Sequence, residues 1–262
     1  MSRSDTHLDI RHAAERFRTR GSWLDSRHSF SFGGHYDPGN THFGLLLVNN
    51  DDVVAPGSGF ETHPHRDMEI VTWVLSGSLV HQDSEGHHGV IYPGLAQRMS
   101  AGTGIRHSEK NDSWRLDASA EHTEPVHFVQ MWVLPDAPGL RPGYEQLDIN
   151  TELDAGGLVP VASGLARHGG ESAIRIAQRD AALYAARLPA GATVTIPVAP
   201  HVHLFVPVGS VALEGAGDLA PGAGDAALAA GDAARITAAD GQRVTAGPDG
   251  AEVLVWEMHG RL

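Results

Sequence analysis

The sequence predicts an all-β protein built from two antiparallel β-barrels packed together. Short runs rich in Val, Ile, Leu and Thr recur along the chain, for example EIVTWVL, VHFVQMWVL, HLFVPVG and EVLVWEM. Each run is bounded by Gly, Pro, Asn, Asp or Ser, which is typical of short strands joined by turns. The 31 glycines and 15 prolines are spread through the chain, which fits frequent turns.

An internal repeat is the observation that favours two barrels over one. The stretch VTWVLSGSLVHQ at 71–82 resembles HLFVPVGSVALEG at 203–215, and Gly77 then matches Gly209. Two copies of a strand, a Gly-Ser turn and a strand indicate two units of similar topology. The Ala-rich tract Leu219–Ala239 is interpreted as short strands and turns because of its Gly and Asp spacing, despite the helix propensity of Ala.

The Pro- and Gly-rich segment 136–148 is interpreted as a linker between two domains. This places an amino-terminal barrel at 1–135 and a carboxy-terminal barrel at 149–262. Few helices are expected, all of them short. The two candidates are Ile10–Arg18 and Asp180–Ala186.

Composition excludes several classes of function. A net charge of −13 argues against binding to nucleic-acid backbones or anionic lipid surfaces. The absence of cysteine excludes disulfides and thiolate metal sites, so a metal must be bound by nitrogen and oxygen atoms. The first thirty residues contain no apolar stretch typical of a secretory signal, and no apolar run in the sequence approaches the length of a membrane span, so neither feature is expected. We therefore expect a cytoplasmic protein.

Two pairs of potential metal ligands have the same spacing. His63 and His65 are separated by one residue, and so are His107 and Glu109. Residues i and i+2 of a strand point to the same face of the sheet. Two such pairs on neighbouring strands of one barrel would converge on a single point. Three imidazoles and one carboxylate suit one first-row transition metal ion with coordination positions left open.

These motifs resemble those of the pirin family of the cupin superfamily, particularly its bacterial quercetinase-like members. The resemblance is carried by WLDSRHSFSF, NNDDVVAPGSGFETHPHRDMEIVTWVLSGSLVHQDS, MSAGTGIRHSE, QMWVLP and PGYEQ, which cover most of residues 22 to 148. It implies a bicupin fold, with two jelly-roll type barrels and one mononuclear metal in the first of them.

The resemblance also assigns the ligands, which are His63, His65, His107 and Glu109. Many other cupins have their acidic ligand at the position of Glu69, so Glu69 is the alternative ligand or a residue that supports the ligands. Iron(II) is the metal that the resemblance implies. Ni, Mn, Co, Cu and Zn remain possible because such sites bind all of them.

Other side chains are candidates for a substrate pocket. Phe128, Gln130 and Trp132 share one face of a predicted strand, where they would form either a pocket wall or part of the core. Arg66 follows the second histidine ligand and would meet either an anionic substrate group or a surface acid.

The remaining histidines are weaker candidates. We expect His81, His87 and His88 to be solvated at the end of a hairpin. His201 and His203 are expected on a strand, half exposed, and the second barrel is expected to lack a metal. Two further histidines are candidates for the mouth of the first barrel, namely His28 and His35.

By resemblance, the expected activity is flavonol 2,3-dioxygenation, in which quercetin is opened by O2 with loss of carbon monoxide. Glu109 would bind the metal and accept the proton of the 3-hydroxyl group. The alternative is an iron-dependent redox sensor that binds a protein partner, either a transcription factor or a metabolic enzyme. A monomer is expected in both cases.

Overall fold

The computed structural model of the protein describes residues 6–112, 122–170, 172–215 and 225–262. They form three β-sheets of seven, four and nine strands, together with one short α-helix, α1 (Asn150–Asp154). The prediction of an all-β protein is confirmed. Within these ranges, no helix is long and apolar enough to cross a membrane.

The eleven strands that follow the first strand of the chain form the seven- and four-stranded sheets. The initial strand is β1 (His7–Arg11), and the next eleven are β2 (Phe17–Arg20), β3 (Leu24–His28), β4 (Leu46–Val54), β5 (Ser58–His65), β6 (Glu69–Ser76), β7 (Leu79–Asp83), β8 (His88–Ile91), β9 (Leu95–Ser100), β10 (Ile105–Asn111), β11 (Val126–Val133) and β12 (Gly143–Asp148). The seven-stranded sheet has the order β12-β9-β6-β11-β4-β3-β2, and the four-stranded sheet has the order β5-β10-β7-β8.

The nine-stranded sheet belongs mainly to the second half of the chain. Its order is β1-β19-β17-β20-β15-β13-β14, with β16 paired to β20 and β18 paired to β17. The strands of the second half are β13 (Val159–Ser163), β14 (Ile174–Arg175), β15 (Ala181–Leu188), β16 (Thr193–Thr195), β17 (Val198–Leu213), β18 (Ala226–Ala229), β19 (Ala233–Asp240) and β20 (Arg243–Met258).

The seven-stranded sheet is buried on both faces. On β6, Val74 packs toward the four-stranded sheet, while Trp73 packs against the nine-stranded sheet. Successive side chains of a strand point to opposite faces, so the two neighbours serve different cores. Trp73 also donates a hydrogen bond to Glu252 of β20 at 2.6 Å, and this bond joins the two halves of the molecule.

The expected closed barrels are replaced by open sheets. In the portion of the chain described above, each sheet runs from one edge strand to another without its first and last strands pairing. The segment expected to be a linker contains β12, which pairs along its length with β9. At the other end, β1 pairs with β19 and so belongs to the nine-stranded sheet.

Both helix predictions are wrong. Ile10–Arg18 contains the end of β1, a 3-10 turn at Ala13–Glu15 and the start of β2. Asp180–Ala186 lies almost entirely in β15, which pairs with β13 and β20 and buries nearly all its side chains. Tertiary packing overrides the helix propensity of Ala in such a strand. The strands predicted in Leu219–Ala239 are present where that tract is described, as β18 and most of β19, while 219–224 lie outside the described residues.

The glycines matched in the repeat have equivalent conformations. Gly77 has φ +76° and Gly209 has φ +78°, a region that favours glycine. At both positions an added Cβ would meet neighbouring backbone, at 3.0 Å from Pro125 O and 2.1 Å from Gly250 O, respectively. The two halves therefore reuse the same tight junction between paired strands.

A substitution at Gly102, just before β10, tests how tightly this region is packed. The φ of Gly102 is +47°, and a Cβ there would lie 2.1 Å from the carbonyl oxygen of Leu140. We expect Gly102→Ala to lower the free energy of unfolding by at least ~2 kcal/mol, measured by chemical denaturation. The control is Gly34→Ala, because nothing lies within 4 Å of a Cβ at exposed Gly34. Equal stabilities of the two variants would contradict this interpretation.

Candidate metal centre

The pairing of β5 with β10 brings three histidines together. His63 lies directly opposite His107, and His65 lies opposite Ile105. The ring centroids are 4.5 Å apart for His63 and His107, 4.8 Å for His63 and His65, and 4.9 Å for His65 and His107. Directly opposed residues of an antiparallel pair share a face. The three imidazoles therefore point into the space between the four- and seven-stranded sheets.

Glu109 lies on the same face of β10 as His107, two residues further along the strand. The register shifts after His107, so Glu109 lies opposite Phe60 and strand β5 holds one extra residue. Gly59 follows in the paired region, where an added Cβ would lie 2.3 Å from the carbonyl oxygen of Glu109. Glycine is required there because the two backbones approach so closely.

The Glu109 carboxylate is buried and held by the facing sheet. Thr72 donates a hydrogen bond to its Oε1 at 3.2 Å, and Gln130 donates to its Oε2 at 2.7 Å. Trp132 donates in turn to Oε1 of Gln130 at 3.0 Å, and its ring meets the edge of His65 at 4.9 Å. Gln130 and Trp132 thus lie at the cluster, as their shared strand face suggested.

The donor set fits a metal ion. His107 buries both ring nitrogens and His65 buries Nε2 with no hydrogen-bond partner among the described residues. Leaving such nitrogens unpaired costs free energy unless a ligand satisfies them. His63 donates from Nδ1 to the carbonyl oxygen of Glu61 at 2.7 Å, which leaves Nε2 free to coordinate. One ligand nitrogen from each histidine lies within 4.8 Å of the others.

His65 and His107 are held in the neutral form that binds metals. Burial, with the neighbouring imidazoles as the next cause, lowers the pKa of His65 to about 4 and that of His107 to about 3. Both rings are therefore neutral near pH 7. A metal ion can bind these nitrogens without first displacing protons.

His81 extends the cluster, and our prediction of a solvated residue is wrong for it. Its side chain is fully buried on β7, where it lies opposite Glu109. Ligand atoms of His81, His107 and Glu109 also lie within 4.8 Å of one another. The sequence signal for this burial was the alternation along β7. His81 follows the apolar Leu79 by two residues and therefore lies on the same, buried face of the strand. His87 and His88 are half-buried and exposed, respectively.

Three other site candidates lie elsewhere. Glu69 accepts hydrogen bonds from Ser100 at 2.8 Å and from the backbone of Ala177 at 3.1 Å, so its carboxylate joins the two halves of the protein. Burial raises its pKa. Phe128 is fully buried in the core between the two sheets. Arg66 is exposed and donates to the carbonyl oxygen of Thr103 at 3.1 Å.

The second histidine pair does not form a comparable cluster in the described residues. His201 is half-buried and packs on the edge of Phe43. His203 is fully buried, so the prediction of a half-exposed side chain is wrong for it. His28 is buried and hydrogen-bonds to Asn50 at 2.9 Å, next to Gln130 in the sheet. His35 stacks on Phe17.

Comparison with known proteins identifies the family of both halves of the chain. The family model named Pirin matches residues 11–133, and the model for the quercetinase C-terminal cupin domain matches 161–258. A Mycobacterium tuberculosis protein is 58% identical over 255 residues, which is 97% of this chain and 96% of that protein. The chain belongs to the pirin family. The name of that relative gives quercetin 2,3-dioxygenase as a provisional activity.

Two further matches come from Escherichia coli. A protein named quercetin 2,3-dioxygenase is 50% identical over 137 residues, which is 52% of this pirin and 56% of that protein. The crystal structure of the bacterial pirin YhhW in complex with nickel(II) is 34% identical, with a TM-score of 0.80, and covers 98% of this chain and 100% of that one. The resemblance to pirins and the bicupin fold are confirmed.

The lowered pKa values predict how the metal-free protein responds to acid. The unfolded chain takes up protons near the ordinary histidine pKa of about 6.5, whereas folded His65 and His107 do so near 4 and 3. The contribution of these two histidines to the free energy of unfolding is therefore expected to be fully present above about pH 6.5. It should be lost as the pH falls from there toward the folded pKa values of about 4 and 3. In 15N NMR spectra at about pH 5.5, both imidazoles should be neutral. An imidazolium signal from either residue would contradict this assignment.

Proposed function

We propose that this pirin is a mononuclear metal-dependent dioxygenase that opens flavonols such as quercetin with O2. The observation that carries the proposal is the set of buried, unpartnered nitrogens on His65 and His107, next to the carboxylate of Glu109. The names of the matched relatives support the reaction class and favour it over the regulatory alternative.

His63, His65, His107 and Glu109 would hold the metal. Iron(II) is our preferred ion by family resemblance, and the nickel(II) complex of the related E. coli protein supports a divalent transition metal at such a site. When bound, a divalent ion supplies Lewis acidity that lowers the pKa of a phenolic hydroxyl group. A site with three histidine ligands and a single carboxylate suits several first-row transition metals.

The role we propose for Glu109 is to accept the proton of the substrate's 3-hydroxyl group. Thr72 and Gln130 each donate to one of its oxygens, so the carboxylate is fixed in orientation while retaining acceptor capacity. The Trp132–Gln130–Glu109 chain of hydrogen bonds prevents the amide of Gln130 from turning. A positioned base of this kind contributes about 10²- to 10⁴-fold to a rate.

An aromatic cleft beside His63 supports a planar ring system as the substrate. It has a volume of about 540 Å³ and is lined by Trp23, Phe60 and His63. Trp23 and Phe60 meet edge to face with centroids 5.3 Å apart. Volumes in this range accommodate small-molecule ligands, and aromatic walls favour aromatic guests.

The proposed role of Glu109 is tested with Glu109→Gln, which keeps the side-chain shape and removes the charge. We expect turnover of quercetin to fall by about 100-fold or more in metal-loaded protein, measured by oxygen uptake and by loss of flavonol absorbance. The matched control is Glu152→Gln, since Glu152 is exposed on α1 and belongs neither to the aromatic cleft nor to the metal centre. It should retain the wild-type rate.

The outcomes separate the role of Glu109 from the function itself. Full turnover by Glu109→Gln with its metal retained would contradict the role of Glu109 as base. No oxygen-dependent loss of quercetin by fully loaded wild-type protein, compared with an anaerobic incubation, would contradict the flavonol dioxygenase activity.

A further inference from the structure

A second cavity lies between the two halves of the protein. It has a volume of about 210 Å³, and none of the four proposed metal ligands lines it. Arg16, Phe17 and His28 line it from the amino-terminal half, while His203 and Arg235 line it from strands β17 and β19. It is therefore distinct from the metal centre and belongs to the junction of the two domains.

Arg235 is a buried cation without a carboxylate partner within 4 Å in the described part of the chain. Its Nη2 donates to two neutral oxygens, Ser29 O at 2.9 Å and Asn40 Oδ1 at 2.7 Å. Its Nε is buried with no hydrogen-bond partner. The residue opposite it on β1 is Asp9, whose carboxylate is bonded to Arg11 instead. Burial lowers the pKa of Arg235 to about 10.

Arg16 and His203 add further buried polar groups without partners. Arg16 pairs with Asp51 at 3.2 Å, but that carboxylate also bonds to His127 at 2.5 Å, and Nε of Arg16 remains buried without a partner. His203 is fully buried, and neither of its ring nitrogens has a partner. A buried polar group without a partner costs about 1–3 kcal/mol, and more if it is charged.

The other charged residues at the cavity are either paired or exposed. Arg11 is paired with Asp9 and Arg16 with Asp51. The two acids that line the cavity, Glu15 and Asp37, are exposed to solvent. Arg235 is therefore the buried charge at this cavity that has no ion-pair partner in the described residues, so its missing partner is an anion.

We propose that this interdomain cavity binds a small oxyanion, carried as a carboxylate or phosphate group, against the guanidinium of Arg235. Arginine offers several donors to such oxygens and binds them more strongly than neutral acceptors. A cavity of about 150 Å³ holds benzene, so this one admits a short chain or a single ring with its acidic group. The proposal does not depend on the activity of the metal centre.

The test uses Asn40→Asp, which places a carboxylate beside Arg235 with almost no change in shape. In wild-type protein loaded with metal, we expect sodium phosphate or sodium benzoate to raise the midpoint of thermal unfolding, at ionic strength matched with sodium chloride. We expect Asn40→Asp, which loses the hydrogen bond from Asn40 Nδ2 to Ser29 O, to gain nothing from either anion because its own carboxylate takes their place beside Arg235. Calorimetric titration with each anion should show binding to wild type alone.

Matched variants and ligands complete the experiment. Arg235→Gln should weaken binding at least 10-fold, whereas Arg243→Gln, which alters an exposed arginine outside the cavity, should leave it unchanged. Benzamide, the neutral relative of benzoate, should not bind. A response to phosphate alone identifies a phosphate site, and a response to benzoate alone a carboxylate site. Equal stabilisation of wild type and Asn40→Asp by both anions, or by chloride alone, would overturn the proposal.

Discussion

The antiparallel register of β5 against β10 is the constraint on which the metal centre depends. It sets His63 opposite His107, so that two side chains far apart in sequence share one face and one depth. A shift by one residue would turn His107 to the other face of the sheet. The uninterrupted register of β10 against β7 then sets Glu109 opposite His81, and its carboxylate meets the facing sheet. Backbone pairing, more than any single side chain, therefore defines the donor set.

The seven-stranded sheet connects this centre to the rest of the molecule. On β11, Gln130 faces the histidines, while Met131 packs into the core shared with the second domain. On β6, Thr72 likewise donates a hydrogen bond to Glu109, while Trp73 donates one to Glu252 of the second domain. Because each strand has one face in each core, the carboxylate of Glu109 is supported by a layer that the second domain holds in place. This gives the second domain a structural role next to a site to which it contributes none of the proposed ligands.

The sequence predicts those features of this pirin that follow from spacing along one strand. Alternation with period two predicted that His63 and His65 project to the same face, and that His107 and Glu109 do so too. The repeat around Gly77 predicted a second unit. What depends on contacts between distant strands was missed. His81 reads as a hairpin end until β7 is known to pair with β10. The alanines of β15 favour a helix until the strand is enclosed on both sides.

The central claim is that His63, His65 and His107 surround one ion, and diffraction from nickel-loaded crystals tests it most directly. An anomalous difference map should contain a single strong peak per chain, about 2.1 Å from a nitrogen of each of the three imidazoles. No peak is expected at His201 and His203. A peak at any other position, or contact with only one of the three histidines in fully loaded protein, would contradict the account.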